Sequence, residues 1–250
     1  MKKILEVCVD SYASAEAAVK GGADRLELCS CLQAGGISPD AVLLEQIKKQ
    51  SRIPVRCLMR PRPGDFLYSD YEISLMEEQI KRLIDSGADG FVIGCLDEDG
   101  NLDCRKMEKL IKAAGNKKIT LHRAIDMSRD GIETAGKAAE LGVDTVLTSG
   151  QAENCWEGRG FIGRLLDEKL PLTVMAGAGV NAEIIGKMLD ILPLEAFHMS
   201  GKKTVQSGMR YRRQGVSMGL PGMDEYSLYL TDENSVREAA YMLRKSENAE

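Results

Sequence analysis

Acidic and thiol side chains interrupt two short apolar segments of this 250-residue chain. Glu6 stands in ILEVCV and Glu27 in RLELC, each two residues before a cysteine, Cys8 or Cys29. A carboxylate inside an apolar segment is costly to bury unless it is paired, and Arg60 and Arg123 are the available partners. Both a structural ion-pair network and a reactive site are compatible with such residues.

A wider set of polar residues follows other apolar segments and suits acid–base chemistry on an anion. The candidate acid–base groups are Glu6, Glu27, His122 and Asp126. The candidate anion-binding residues are Arg60, Arg123, Ser149, Gly177 and Gly179. His198 and Ser200 close a further segment and receive no assigned role. This set predicts an enzyme that acts on a small anionic metabolite, phosphorylated or not, by hydrolase, isomerase or lyase chemistry.

The two glycines of that set belong to the segment AGAGVN, residues 176–181. The segment follows an apolar run and opens a helical pattern. Glycine lets the backbone approach a ligand, and a helix N-terminus offers free amides and positive potential to a phosphate. A tight turn without a ligand is the alternative.

The thiols of Cys8 and Cys29 form a second candidate site. The two residues fall at matching positions in their segments, and neighbouring strands lie ~4.8 Å apart. Two thiolates at the same depth suit a soft ion such as Cu(I), and Cys31 is near enough in sequence to join them. Buried reduced cysteines without a metal are the alternative.

Eight short apolar segments must position these residues, and each is too continuous for a half-exposed strand, as in parallel sheets covered on both faces. They span residues 4–9, 25–29, 55–60, 90–94, 119–122, 145–148, 172–175 and 195–199. Helical patterns lie between them, including one that opens with a capping box at Ser69 and Glu72 and one capped by Asn181. The alternation predicts an α/β fold, a single (β/α)8 barrel of the TIM type.

A short repeat supports this architecture. GGAD (21–24), GAD (87–89) and GVD (142–144) each end a helical pattern and precede a strand. A glycine closes the helix in a left-handed conformation, and the chain then enters the next strand. We therefore expect one domain over residues 1–250, with a long loop at about 200–231 before the last helix. That loop is a lid, a binding loop, an interface or a solvated insertion.

The composition limits the classes of binding partner and the compartment that we expect. The net charge of −5 disfavours nucleic acid and anionic membranes as partners. The N-terminal apolar stretch is shorter than a signal-peptide core, and no segment reaches the ~20 apolar residues of a membrane span. We expect a cytoplasmic protein.

Several motifs also resemble the CutC family. They are LEVCVDS, GGADRLELCS, MRPRPGDF followed by YSD, LHRAIDM, LTSGQ, MAGAGV and SGMRYRRQGVSMG, from Leu5 to about Asp232. The resemblance implies a cytoplasmic (β/α)8 barrel that forms a homo-oligomer, a dimer being favoured, with a role in copper homeostasis. It implies that Cys8 and Cys29 bind Cu(I). Copper binding is thus one functional prediction, and the metabolite enzyme is the other.

Both predictions need the same geometry. In barrels of this kind the strands' C-terminal ends meet at one mouth. We therefore expect six side chains to converge there: Glu6, Cys8, Glu27, Cys29, Arg60 and His122.

Overall fold

Eight short strands pair in chain order and close into a parallel barrel in the computed structural model, which describes residues 2–216, 218 and 224–247. The predicted (β/α)8 fold is confirmed. The predicted segments match the observed strands to within two residues at each end. The strands are β1 (Ile4–Val9), β2 (Arg25–Leu28), β3 (Val55–Leu58), β4 (Gly90–Ile93), β5 (Lys118–Leu121), β6 (Thr145–Thr148), β7 (Thr173–Ala176) and β8 (Ala196–Met199).

Helices follow the strands and cover the outside of the barrel, so that the strands are largely buried on both faces, although charged residues such as Glu6 and Arg56 interrupt them. Both predicted N-caps are present: Ser69 and Glu72 form a reciprocal capping box, and the Asn181 side chain accepts a hydrogen bond from the Ile184 amide. The helices are α1 (Tyr12–Gly21), α2 (Ala41–Gln50), α3 (Asp70–Asp85), α4 (Cys104–Ala114), α5 (Gly131–Glu140), α6 (Arg159–Asp167), α7 (Ala182–Leu189) and α8 (Glu233–Glu247).

The structure explains both residues of the glycine–aspartate repeat: the glycine ends the helix, and the aspartate binds the preceding strand. The glycines that end the helices are left-handed, with φ of 97°, 99° and 83° at Gly22, Gly87 and Gly142. Each aspartate two residues later accepts a hydrogen bond from a backbone amide of the preceding strand. The pairs are Asp24 with Leu5 (2.9 Å), Asp89 with Val55 (2.8 Å) and Asp144 with Ile119 (2.5 Å). The repeat therefore ties each new strand to its predecessor.

The register between β1 and β2 differs from the sequence-based expectation. Cys8 pairs with Glu27, and Glu6 pairs with Arg25. Cys29 lies two residues beyond Glu27, where its amide donates a hydrogen bond to the Val9 carbonyl. The prediction that Cys8 and Cys29 share one depth is wrong, because strands in a closed barrel tilt and shift in register from one to the next.

The segment predicted as a long loop contains a two-stranded antiparallel ribbon. Its strands are β9 (Lys202–Gln206) and β10 (Ser227–Thr231), both largely exposed. The polar sequence KKTVQ lacks the apolar alternation that would have indicated a strand. Residues 217 and 219–223 of this segment lie outside the described residues. The assignment of residues 1–250 to one domain stays a prediction.

The helices of the described ranges include none with the length and apolar character that crossing a membrane requires.

Candidate functional site at the barrel mouth

A cavity of about 690 Å³ opens at the C-terminal ends of the strands, where the site was expected. Six of the predicted site residues line it: Cys8, Glu27, Arg60, His122, Arg123 and Asp126. The five others, Glu6, Cys29, Ser149, Gly177 and Gly179, are not among its lining residues. Leucines and Phe66 supply an apolar wall, so the cavity combines a few polar groups with a largely apolar surface.

The innermost polar cluster consists of Cys8, Glu27 and His198. One ligand atom from each residue lies within 4.8 Å of the other two, and all three residues line the cavity. Cys8 and Glu27 meet because the strand register places them side by side. His198 reaches them from β8, which pairs with the other edge of β1.

Glu6 lies beneath this cluster and is completely buried. Its carboxylate accepts a hydrogen bond from Arg25 Nε (2.5 Å) and lies 2.8 Å from His198 Nδ1. Burial alone would raise the pKa of Glu6, but Arg25 and His198 lower it to about 2. Glu6 is therefore a fixed anion that neutralises Arg25 and orients the His198 ring, and it does not face the cavity as a proton-transfer group.

Glu27 behaves differently from Glu6 although both are buried. Burial raises the pKa of Glu27 to about 7, and the Glu6 charge adds to the rise while His198 and Arg25 oppose it. Burial would lower the pKa of His198, but Cys8, Glu27 and Glu6 together raise it well above its usual value. The cluster thus holds a carboxyl group that changes charge near neutral pH beside a protonated imidazole.

Cys29 is directed away from the cluster. Its thiol lies 3.5 Å from the Val9 carbonyl oxygen, which accepts its hydrogen bond, and it packs with Leu58 and Val92. Burial raises the pKa of this thiol far above its usual value. Cys29 is consequently held as a neutral thiol, a weaker metal ligand than a thiolate.

His122 is buried, and its ring is fixed by hydrogen bonding and packing. Its Nδ1 accepts a hydrogen bond from the Ala124 amide (3.1 Å), at the start of a 3₁₀ turn over Arg123–Met127. Burial and then the Arg60 charge lower the pKa of His122 to about 3. The ring is therefore neutral near pH 7, with its proton on Nε2. Its low pKa and the hydrogen bond that occupies Nδ1 make it a weak general base there.

Arg60 uses most of its guanidinium to hold loops together. One terminal nitrogen donates to the carbonyls of residues 34, 35 and 36, and the other donates to Gly64 (2.8 Å). The guanidinium also lies 5.5 Å from the Phe66 ring centroid. Arg60 was predicted to bind an anion with its guanidinium. Only Nε is left for that role, since it is buried and has no partner among the described residues.

Asp126 binds the loop that follows β6. Its two oxygens accept hydrogen bonds from Thr148 Oγ1 (2.5 Å), the amides of Ser149 and Gln151, and Arg123 Nε (2.7 Å). Arg123 also donates to Ser149 Oγ (2.9 Å). These contacts engage three predicted site residues with one another, which favours a structural role for Asp126.

The Gly177–Gly179 turn packs against neighbouring protein. A side chain at position 177 would lie 2.5 Å from Leu147, and Gly179 has a φ of 75° and faces Asn154. The Ala178 carbonyl accepts a hydrogen bond from the Cys155 amide. Close packing therefore accounts for both glycines without a phosphate.

The sequence model of the CutC family matches residues 3–203, most of the barrel. This chain belongs to the CutC family. A solved relative agrees: the crystal structure of a protein described as copper homeostasis protein CutC, from Streptococcus agalactiae, has a TM-score of 0.75 and 26% identity. The match covers 79% of this chain and 98% of that one.

More distant solved structures share the fold alone. N-(5'-phosphoribosyl)anthranilate isomerase from Pyrococcus furiosus has a TM-score of 0.57 at 17% identity, covering 97% of this chain and 99% of that one. KGPDC from Streptococcus mutans has a TM-score of 0.58 at 12% identity, covering 99% of this chain and 100% of that one. At these identities the CutC-family chain shares a barrel with them, and no function follows.

The residue that sequence reasoning left without a role in this CutC-family chain is His198. A signal was present, since His198 is one of only two histidines and interrupts the apolar strand AFHM. Arg25 was also missed, because it begins its strand and looks like a flanking charge. Both contact Glu6: Arg25 does so through the pairing of β2 with β1, and His198 through the closure of β8 against β1.

Proposed function

We propose that this CutC-family protein handles copper and binds Cu(I) as its cargo between Cys8 and His198. The observation that carries the proposal is the approach of Cys8, Glu27 and His198 to within 4.8 Å at the base of an open cavity. Thiolate and imidazole are both ligands that suit copper, whereas a carboxylate is a harder ligand. Glu27 is therefore the neighbour of the ion and not its principal ligand.

The contact between Glu6 and His198 supports the proposal. The Glu6 carboxylate lies 2.8 Å from His198 Nδ1, which leaves Nε2 as the nitrogen that can bind an ion, once the ion displaces the Nε2 proton. Metal-binding histidines commonly donate their other ring N–H to a carboxylate, which fixes the ring and the tautomer. Glu6 thus lies where it would hold the ring of a metal-bound His198 without touching the ion.

The proposal replaces one of the two ligands expected from the family resemblance. Cys29 is not part of the group of three, and its neutral thiol is directed to the Val9 carbonyl. The compartment is proposed to be the cytoplasm, since all seven cysteines are free. The assembly is proposed to be a homodimer on the family resemblance alone.

Competition with a chelator of known Cu(I) affinity tests the copper proposal. We expect Cys8→Ser and His198→Gln each to weaken Cu(I) binding about 100-fold, and Glu6→Gln to weaken it about tenfold. Cys29→Ser is the matched thiol control and should bind Cu(I) like the unaltered protein. Unchanged affinity in Cys8→Ser would refute the proposal, and a large loss in Cys29→Ser would restore the pair of cysteines.

An enzyme is the second candidate function, and the size of the cavity favours it. A volume of about 690 Å³ with a largely apolar wall exceeds the needs of a single ion and matches small-molecule sites. Glu27, with a pKa of about 7, lies on its wall and is suited to proton transfer at neutral pH. The candidate reaction is hydrolysis, isomerisation or lyase chemistry on a small anionic metabolite.

Incubation of the protein with a defined mixture of small metabolite anions, followed by mass spectrometry, tests the second candidate. We expect one component to be consumed, and Glu27→Gln to reduce the rate by at least about 100-fold. An exposed variant such as Glu183→Gln is the control. If Glu27→Gln turns over the same component at the full rate, Glu27 is not the proton-transfer group.

A further inference from the structure

The His122 imidazole presents one unsatisfied hydrogen-bond donor. Its Nδ1 is occupied by the Ala124 amide, so the neutral ring carries its proton on Nε2. This nitrogen is buried and has no hydrogen-bond partner among the described residues, in a side chain that is only 4% exposed. Buried polar groups are nearly always paired. The unpaired N–H therefore calls for an acceptor from outside the chain.

The surrounding structure holds the ring in place from two sides. A Cβ atom at position 94 would lie 2.5 Å from His122 Cε1 and 2.6 Å from Nδ1, so the ring packs directly on the backbone of a glycine. The Phe66 ring lies 4.7 Å from the imidazole, centroid to centroid. A ring fixed in this way offers its donor in one direction, which is what a preorganised binding group requires.

A second unpaired donor belongs to the same wall. Arg60 Nε is buried without a partner, while the terminal nitrogens of the guanidinium are fixed by loop carbonyls. Arg60 lies against the Phe66 ring, and Phe66 lies against His122. All three residues line the cavity. Two immobilised donors, one of them cationic, thus border the same aromatic ring.

We propose that the wall formed by His122, Phe66 and Arg60 is a binding subsite for the carboxylate of a small organic anion with an apolar body. Both free donors require an acceptor, the Arg60 charge favours an anionic one, and Phe66 with Leu58 and Leu147 accommodates apolar atoms. Both donor nitrogens are buried, so binding requires a local movement of this wall that lets an oxygen atom reach them. A metal cation is excluded from this subsite because both groups are donors.

The subsite shares no residue with the cluster of Cys8, Glu27 and His198, although both line the same cavity, and its proposed ligand does not require copper. Here His122 is a hydrogen-bond donor, whereas the sequence predicted an acid–base group. The same arrangement, a neutral histidine with Nδ1 blocked by a backbone amide, polarises oxygen atoms of ligands in other barrels.

Nitrogen-detected NMR of copper-free protein tests the subsite with three probes that share a phenyl ring and differ in charge: benzoate, benzamide and benzylamine. The chain has only two histidines, so His198→Gln assigns the His122 signals. We expect benzoate to shift His122 Nε2 saturably, benzamide to bind more weakly, and benzylamine not to bind. Equal binding of benzylamine, or no saturable shift with benzoate at tens of millimolar, overturns the proposal.

Variants show whether a change in benzoate binding comes from the subsite itself, from a loss of folding or from the copper site. His122→Phe is expected to weaken benzoate about tenfold, the effect of one lost hydrogen bond, while His122→Gln keeps a donor and loses less. Tyr68→Phe removes another buried unpaired group, one that does not line the cavity, and should leave benzoate affinity unchanged. Cys8→Ser should also bind benzoate fully, whatever happens to Cu(I). Unchanged benzoate affinity in a folded His122→Phe protein overturns the proposal.

Discussion

Replacing Arg25 with methionine is expected to lower the free energy of unfolding by about 3–5 kcal/mol, the usual cost of leaving one partner of a buried ion pair uncompensated. Arg25 is 8% exposed, and Glu6, its partner at 2.5 Å, is not exposed at all. His198, with a weaker contribution from Arg56, then faces the Glu6 charge. Urea denaturation followed by circular dichroism measures the loss.

The double variant Arg25→Met with Glu6→Gln is the control for this prediction. Removing both charges avoids an unpaired buried ion, so we expect the double variant to recover most of the lost stability. A loss below about 1 kcal/mol in Arg25→Met alone, within the range of exposed pairs, would show that the pair contributes little.

The pH dependence of stability gives an independent measure of the same pair. The pKa of Glu6 falls from 4.5 to about 2 on folding, so its stabilising effect is complete above pH 4.5 and is lost as the pH decreases toward 2. Without Arg25 the folded pKa lies higher, and this loss becomes smaller. Unfolding measured at pH 5 and pH 3 should therefore show a steeper decline for the unaltered protein than for Arg25→Met.

The strands and helices could be predicted because their signals are local. Continuous apolar segments such as ILEVCV identify buried strands, and the Gly–x–Asp repeat identifies the turns into them. The aspartates of that repeat bond to the strand before, as Asp24 does with Leu5. The local sequence thus specifies each strand–helix unit, and eight such units leave few alternatives to a closed barrel.

The membership of the site could be predicted only in part, because it depends on register and on loop contacts. A two-residue shift decides whether Cys8 meets Cys29 or Glu27, and nothing within either strand reveals the shift. The closure of β8 on β1 brings His198 to Glu6 across 192 positions of sequence. Arg60 looked free for an anion, but backbone carbonyls of its neighbouring loops occupy its terminal nitrogens.

The substitution Asp126→Asn tests whether this carboxylate stabilises the fold or takes part in a reaction. The substitution is expected to lower the free energy of unfolding by about 3 kcal/mol, since the carboxylate loses charge-assisted hydrogen bonds with Arg123 and the loop after β6. An amide at that position also turns a donor toward groups that donate, such as the Ser149 N–H.

Asp65→Asn is the matched control, because Asp65 lines the same cavity but its side chain is 70% exposed. We expect that variant to remain within about 0.5 kcal/mol of the unaltered protein. Thermal and urea unfolding of both variants measure the difference. If Asp126→Asn keeps full stability while a metabolite that the protein converts is no longer consumed, the carboxylate is a reacting group, and the contacts around it serve to position it.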